Sequence, residues 1–122
     1  MTLDTLMEVG RQEEILSTEE NNRLAIQAKN DPEALDRLLR KNLRLIFKYV
    51  SYYRANKSMD DMFQDGVIGF LSAVEHYDET KGAFSTYLNY RVQAFVLKAN
   101  IRMEGFYYPQ NFYQEKNGKS WN

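Results

Sequence analysis

The chain has 122 residues, 43% of them hydrophobic, and a formal net charge of -1, so a single domain with one core is expected. The absence of cysteine excludes a disulfide scaffold and a cysteine-based metal site. With no secretory signal and no apolar run of about 18 residues, the sequence predicts a cytoplasmic protein without a membrane partner.

Charge is strongly segmented along the chain. Residues 1–36 contain three basic and nine acidic side chains, whereas residues 37–58 contain seven basic and no acidic ones. Residues 59–82 contain one basic and six acidic side chains, and residues 83–122 contain five basic and two acidic ones. A free-standing binder of duplex DNA usually has a net basic domain, so this pattern favours two surfaces, one for nucleic acid and one for a basic partner. The alternative is that each block is a solvated helix face.

Hydrophobic periodicity predicts an all-α fold, a compact bundle of about four to five helices. Residues 1–17 form an N-terminal segment for which no secondary structure is predicted. Ser17 and Glu20 have the spacing of a capping box, which predicts a helix over 18–29.

A longer helix over 32–54 is predicted because Asp31 and Pro32 stand in the order of an N-cap and a first helical residue. Asn42 falls on its apolar side, where an asparagine most often satisfies a backbone group at a helix crossing. The apolar stripe is Leu35, Leu38, Leu39, Ile46, Tyr49, Val50 and Tyr53, and the basic stripe is Arg37, Arg40, Lys41, Arg44 and Lys48.

Ser58 and Asp61 repeat the capping signature and predict a helix over 59–77. Gly66 and Gly69 weaken a helix by about 1 kcal/mol each relative to alanine, which indicates close approach of another helix or of a partner, or ordinary crowded packing. The inward face is Met59, Met62, Phe63, Gly66, Phe70, Ala73, Val74 and Tyr77. A second side combines an apolar centre with an acidic rim, typical of a partner-binding patch, and comprises Asp61, Gln64, Asp65, Ile68 and Leu71.

A turn over 78–82 precedes a last helix, which begins near Ala83 or Phe84 and extends to about Met103. Its predicted inward stripe is Leu88, Val92, Phe95, Ala99 and Met103. Another side mixes rings that stack on unpaired bases with cations that neutralise phosphates, and comprises Tyr87, Tyr90, Arg91, Lys98 and Arg102. Aromatic residues at helical spacing are more often core, but ten of the seventeen lie after residue 83, which is many for one small core.

These motifs together resemble region 2 of the sigma-70 family of bacterial initiation factors, over residues 18–110. The stretch LSTEENNRLAIQAKNDPEALDRLLRKNLRLIFKYV is similar to regions 1.2 and 2.1 of the family, and MDDMFQDGVIGFLSAVEHYD to region 2.2. KGAFSTYLNYRVQAF resembles regions 2.3 and 2.4, and FYYPQNFY the start of region 3. The resemblance implies a region 1.2/2-like helical domain over 18–105, followed by a region 3-like segment and polar tail over 106–122.

The resemblance also implies partners. Region 2.2 of the family docks on the coiled coil of the beta-prime clamp of core RNA polymerase, which assigns that contact to Asp61, Gln64, Asp65, Ile68 and Leu71. Tyr87 matches the residue that takes the place of a flipped adenine of the promoter minus-ten element, and the non-template single strand would meet Phe84, Ser85, Thr86, Tyr87, Tyr90, Arg91 and Lys98. The implied function is promoter recognition and melting without catalysis or a cofactor. The lone His76 is expected to be a surface residue.

Departures from the family pattern concern the loop before FSTY and the positions after it. The short KGAFSTY loop lacks the extra residue of primary factors and resembles alternative or extracytoplasmic-function factors. Tyr90 and Arg91 stand where primary members carry a tryptophan pair, and Ala94 and Leu97 offer no hydrogen-bonding group where those members read an upstream base pair. No counterpart of region 4 follows, so we expect a fragment of a longer factor, or else a region-2-only protein that works with a separate region 4 subunit. The rival function is an interaction module or regulator that binds polymerase, or another factor such as an anti-sigma factor, without melting DNA.

Overall fold

A computed structural model describes residues 2–103, and the side chains of residues 2–101. This part of the chain is all-α, with six α-helices and one short 3-10 helix and no strand. The α-helices are α1 (Leu3–Gln12), α2 (Thr18–Ala28), α3 (Pro32–Lys41), α4 (Leu43–Tyr53), α5 (Met59–His76) and α6 (Phe84–Met103), and Glu79–Lys81 form the 3-10 turn before α6. The all-α prediction is confirmed, and the region 3-like segment and polar tail predicted over 106–122 lie outside the described residues.

The predicted helix starts are confirmed at atomic detail. The Ser17 hydroxyl accepts the Glu20 N–H at 3.2 Å, as in a capping box, and also donates to the Glu20 carboxylate at 2.9 Å. Asp31 caps α3 through the Glu33 N–H at 3.0 Å, with proline in the first turn. Because these starts depend on local hydrogen bonds alone, the sequence is sufficient to locate them.

The single helix predicted over 32–54 is wrong, since the chain turns at Asn42 between α3 and α4. The Asn42 amide donates to the Leu38 carbonyl at 2.9 Å and to the Asn21 side-chain oxygen at 3.2 Å. An asparagine that bonds local backbone competes with helix continuation. The turn lets α3 pack on α2 while α4 packs on α5 and α6. Asn42 satisfies a backbone carbonyl, but at the end of its own helix and not at a helix crossing.

The N-terminal segment contains a helix that the sequence did not predict. Arg44 of α4 donates to the carbonyls of Gly10 at 3.2 Å and Arg11 at 2.5 Å, which satisfies the end of α1. Lys41 pairs with Glu13 at 2.8 Å, and this bond is the main reason that the pKa of Glu13 is lowered. Two residues of the basic stripe therefore hold α1 against the bundle.

Helix α5 packs closely on α4 at one glycine, Gly66, and on α6 at another, Gly69. An added Cβ at Gly66 would lie 2.8 Å from Ile46 Cγ2, and one at Gly69 would lie 3.0 Å from the Cα of Val92. The glycines therefore permit helix–helix packing within the domain. The core between α5, α6 and their neighbours is formed by fully buried side chains that include Leu38, Ile46, Val50, Met62, Phe70, Phe84, Leu88, Val92 and Val96.

The predicted inward stripe of α6 is partly wrong. Phe95 is only half-buried, whereas Val96 is fully buried and Tyr87 is 5% exposed. The reason is that α2, α4 and α5 all contact α6, so a wider band of its surface is covered than one flanking helix would cover. The side chain of Met103 lies outside the described residues.

Candidate functional site

The outer side of α5 carries apolar side chains at its centre. Ile68 is 49% exposed and Leu71 is 43% exposed, although both belong to residue types that are usually buried. Asp61 and Gln64 are exposed beside them, and Asp65 is half-buried. We call these five residues the α5 patch. Ser58 caps the helix below it by accepting the Asp61 N–H at 3.4 Å, so the patch stands on a well-anchored helix start.

The start of α6 is held by contacts from other elements. Asn22 of α2 accepts the Phe84 N–H through its side-chain oxygen at 2.8 Å, so a residue 62 positions away supplies the helix cap. The Tyr77 hydroxyl donates to the Gly82 carbonyl at 2.9 Å, and its ring meets the ring of Phe84 edge-on at 5.2 Å between centroids. Burial is the main cause of the raised pKa of Tyr77. The FSTY motif is thereby fixed in place at its first residue.

The predicted DNA-binding side chains of α6 fall into distinct environments. Phe84 is fully buried and Tyr87 is 5% exposed, so the described conformation offers little of either ring to a ligand. Ser85 and Tyr90 are half-buried, and burial raises the pKa of the Tyr90 hydroxyl. Thr86 and Lys98 are exposed. Because the ring of Phe84 fills the core against Tyr77, Phe84 can shape a strand-binding surface only from beneath in this conformation.

Arg91 connects α6 with α5. Its guanidinium donates to the Ser72 hydroxyl, and its Cζ lies 5.9 Å from the ring centroid of Tyr87 and 5.3 Å from that of Phe95. Its Nε is buried and has no hydrogen-bond partner. The interpretation of Arg91 as a phosphate contact does not fit this conformation, because the cation is engaged between two helices and two rings.

A cleft of about 410 Å³ lies between the chain after α1, the start of α4 and the start of α6. Its rim carries three cations, Lys41, Arg44 and Lys48, and one carboxylate, Glu13, which pairs with Lys41. Ser85 of the FSTY motif lies in its wall. Asn42 and the 77%-exposed Ile15 also line it. The sequence indicated the basic stripe but not this cleft, since only the tertiary packing brings Ser85 across from α4.

Other site chemistries have little support among residues 2–101. No three histidine, cysteine, aspartate or glutamate side chains there form a group suited to a metal ion. His76 is exposed, and its Nδ1 lies 3.0 Å from the Ser72 carbonyl oxygen of its own helix. None of the helices in the described part of the chain has the length and apolar composition needed to cross a membrane.

The sequence of this chain is similar to sequences of known proteins. The sequence profile of the family described as Sigma-70 region 2 matches residues 38–99. The chain is 33% identical over 98 residues to "RNA polymerase sigma factor RpoS" of Coxiella burnetii, which covers 77% of this chain and 27% of that protein. It is 35% identical over 97 residues to "RNA polymerase sigma factor SigA" of a Bacillus species, covering 77% and 26% respectively.

A third relative, "RNA polymerase sigma-F factor" of Bacillus subtilis, is 39% identical over 75 residues, which is 59% of this chain and 29% of that factor. The chain thus spans about a quarter of the length of the curated relatives that it matches, and these relatives carry several different sigma factor names. In this family, region 2 binds core RNA polymerase and the minus-ten element, and it is not an enzyme. The family profile covers half of the chain, so this protein belongs to the sigma-70 family and contains its region 2.

Proposed function

We propose that this chain binds core RNA polymerase through the α5 patch and holds the non-template strand of opened minus-ten DNA on the surface around the start of α6. The observation that carries the proposal is the pairing of two separate surfaces within one small domain. One is apolar with an acidic rim, and the other is a cleft with a cationic rim beside the FSTY motif.

The polymerase interface is supported by the exposure of Ile68 and Leu71 on a rigid helix. Exposed apolar side chains beside carboxylates suit a partner with an apolar contact surrounded by basic residues. The beta-prime clamp coiled coil is the partner that the family implies. Burial of Ile68 and Leu71 would supply most of the affinity, while Asp61 and Gln64 at the rim would set orientation and association rate.

The proposed DNA-binding surface is supported by the side chains around the FSTY motif. The exposed Lys48 would attract the phosphates of a single strand, and the cleft beside Ser85 has room for a base. Tyr90 supplies a half-buried ring for stacking. Tyr87 would need a side-chain movement to stack on a flipped base, so we expect capture of that base to be coupled to docking on polymerase.

We further infer that the promoter preference differs from that of primary factors. Ala94 and the exposed Leu97 lie where primary members read an upstream base pair, and neither can form a side-chain hydrogen bond. Arg91, which replaces the second tryptophan, is bonded to Ser72 instead of forming a flat wedge. A separate region 4 subunit and an anti-sigma factor stay predictions from the sequence.

Titration of the labelled chain with core polymerase tests the interface. An Asp61→Ala, Gln64→Ala double variant should bind about tenfold more weakly, since the substitutions remove polar rim contacts. Asp60→Ala is the matched control, because it removes a carboxylate from the same first turn of α5 outside the patch. Equal binding by the double variant and the control would contradict the assigned interface.

The rival function, binding of polymerase without melting, is favoured by one observation, the near-complete burial of Tyr87. Permanganate oxidation of unpaired thymines separates the two functions. A complex of polymerase, chain and promoter that forms without permanganate-reactive thymines would support the rival.

A further inference from the structure

Arg91 lies between two aromatic rings of its own helix. Tyr87, Arg91 and Phe95 follow one another at intervals of one helical turn, so their side chains lie on the same side of α6. The Arg91 Cζ lies over both rings, 5.9 Å from the centroid of Tyr87 and 5.3 Å from that of Phe95. The guanidinium therefore covers one face of the Tyr87 ring.

Close packing of α6 on α5 places a hydrogen-bond acceptor beside this guanidinium. A Cβ added at Gly69 would lie 3.0 Å from the Cα of Val92 and 3.1 Å from the carbonyl oxygen of Arg91. About one turn further along α5, the Ser72 hydroxyl accepts a hydrogen bond from the Arg91 guanidinium. Because this bond ties the cation to a second helix, the guanidinium cannot leave the ring for solvent without breaking it.

The hydrogen bonds of Arg91 are incomplete in this position. Its side chain is half-buried, and its buried Nε has no hydrogen-bond partner among residues 2–101. A buried donor without a partner has a free-energy cost that contact with water would remove. This cost narrows the free-energy gap between the covered ring and an arrangement in which the guanidinium reaches solvent, so the contact is suited to open.

An arginine over a ring can either support the ring from behind or cover the face on which a base would stack. A support would leave the opposite face of the ring open, because stacking needs one free face. Tyr87 is only 5% exposed in total, so the described conformation offers no such face. The geometry therefore favours a covering role for Arg91.

We propose that Arg91 is a positioning residue that holds Tyr87 in its buried conformation, and that stacking of Tyr87 on an unpaired base requires the guanidinium to leave the ring. The consequence for DNA rests on the proposed function of the α6 surface, whereas the restraint on Tyr87 is a property of the free chain. Arg91 thus acts on DNA through Tyr87 and not through a phosphate.

Nitration of the free chain by tetranitromethane, followed by mass spectrometry of its peptides, measures the exposure of each tyrosine ring. Arg91→Ala should raise the nitration rate of Tyr87 by roughly twofold to fivefold, the factor that one cation–ring contact supports. Arg91→Lys keeps a cation and should restore part of the protection. Tyr77 is the internal control, since it is also 5% exposed, and its rate should stay unchanged.

Two results of this experiment would overturn the inference. An unchanged Tyr87 rate in Arg91→Ala would show that the guanidinium does not restrain the ring. A common rise in the rates of Tyr77 and Tyr87 would show that the substitution only loosens the fold.

The effect on DNA is measured with Ser72→Ala, which frees the guanidinium without changing the charge of the chain. The full chain bound to core polymerase should retain a forked minus-ten DNA roughly twofold more tightly, because a larger fraction of the complex has Tyr87 ready to stack. Ser51→Ala, at an exposed position of α4, is the matched control and should leave retention unchanged.

Weaker retention by Ser72→Ala would show that Arg91 supports the ring from behind, and retention equal to that of the control would show that the restraint does not limit base capture. Either result would overturn the inference. If the unmodified complex retains no forked DNA, the proposed function fails, while the nitration rates still decide whether Arg91 holds Tyr87.

Discussion

Arg91 was predicted to contact DNA, and its position between α5 and α6 leads to a different expectation. Arg91→Ala removes the hydrogen bond to Ser72 and the contacts with the rings of Tyr87 and Phe95. If the contacts within the domain dominate, the variant should destabilise the free chain in the absence of DNA and polymerase.

The expected loss in the free energy of unfolding follows from these contacts. A hydrogen bond from a charged donor contributes about 1.5–3 kcal/mol, and each cation–ring contact contributes about 0.5–1 kcal/mol. Part of this gain is offset, because the buried Nε of Arg91 has lost water without gaining a partner. We expect the free energy of unfolding to fall by about 2 kcal/mol.

Urea unfolding followed by circular dichroism measures this change. Arg23→Ala is the matched control, since Arg23 is an exposed cation on α2, and it should change stability by less than about 0.5 kcal/mol. A double-mutant cycle of Arg91→Ala with Ser72→Ala should give a coupling energy of about 1 kcal/mol or more. Stability of Arg91→Ala within the range of the control, together with zero coupling to Ser72, would refute the assignment of Arg91 to stabilising contacts between α5 and α6.

Further predictions concern backbone conformation and pH. Gly82 has φ 139° and an added Cβ would meet open space, so Gly82→Ala should destabilise the chain through backbone strain alone, by about 1–3 kcal/mol in urea unfolding. Ala55 has φ 55°, so Ala55→Gly should instead stabilise it by up to about 1 kcal/mol, and a loss of stability there would contradict the strain assignment. The bond to Lys41 lowers the pKa of Glu13 in the folded chain. The Glu13–Lys41 ion pair therefore stabilises the fold above the ordinary carboxyl pKa, and this stabilisation is lost as pH falls through the lowered pKa. The difference in unfolding free energy between Glu13→Gln and the unmodified chain should therefore disappear in acid, and a difference that persists there would exclude this ion pair as its source.

The elements that the sequence predicted correctly depend on local chemistry. Three helix starts are capped by a side chain that accepts a backbone N–H two or three residues later, those of Ser17, Asp31 and Ser58. Such caps can be predicted from residue type and spacing alone. The exposure of Ile68 and Leu71 was also predicted from helical spacing, because two apolar side chains fell outside a stripe that was already complete.

The features that the sequence did not predict depend on distant contacts. The cap of α6 comes from Asn22, the end of α1 is satisfied by Arg44, and the burial of Tyr87 requires the packing of α6 against several helices. The turn at Asn42 is intermediate. The local hydrogen bond from Asn42 to the Leu38 carbonyl can be predicted from the sequence, but the hydrogen bond to Asn21 depends on where α2 lies.

The central claim is that this domain, once docked on polymerase, opens promoter DNA. Permanganate oxidation of a promoter in the presence of core polymerase and the chain tests it most directly. We predict reactive thymines on the non-template strand within the minus-ten element, and fewer of them with Tyr90→Ala, whose stacking ring is lost. A stable complex of polymerase, chain and promoter in which no thymine becomes reactive would contradict the claim.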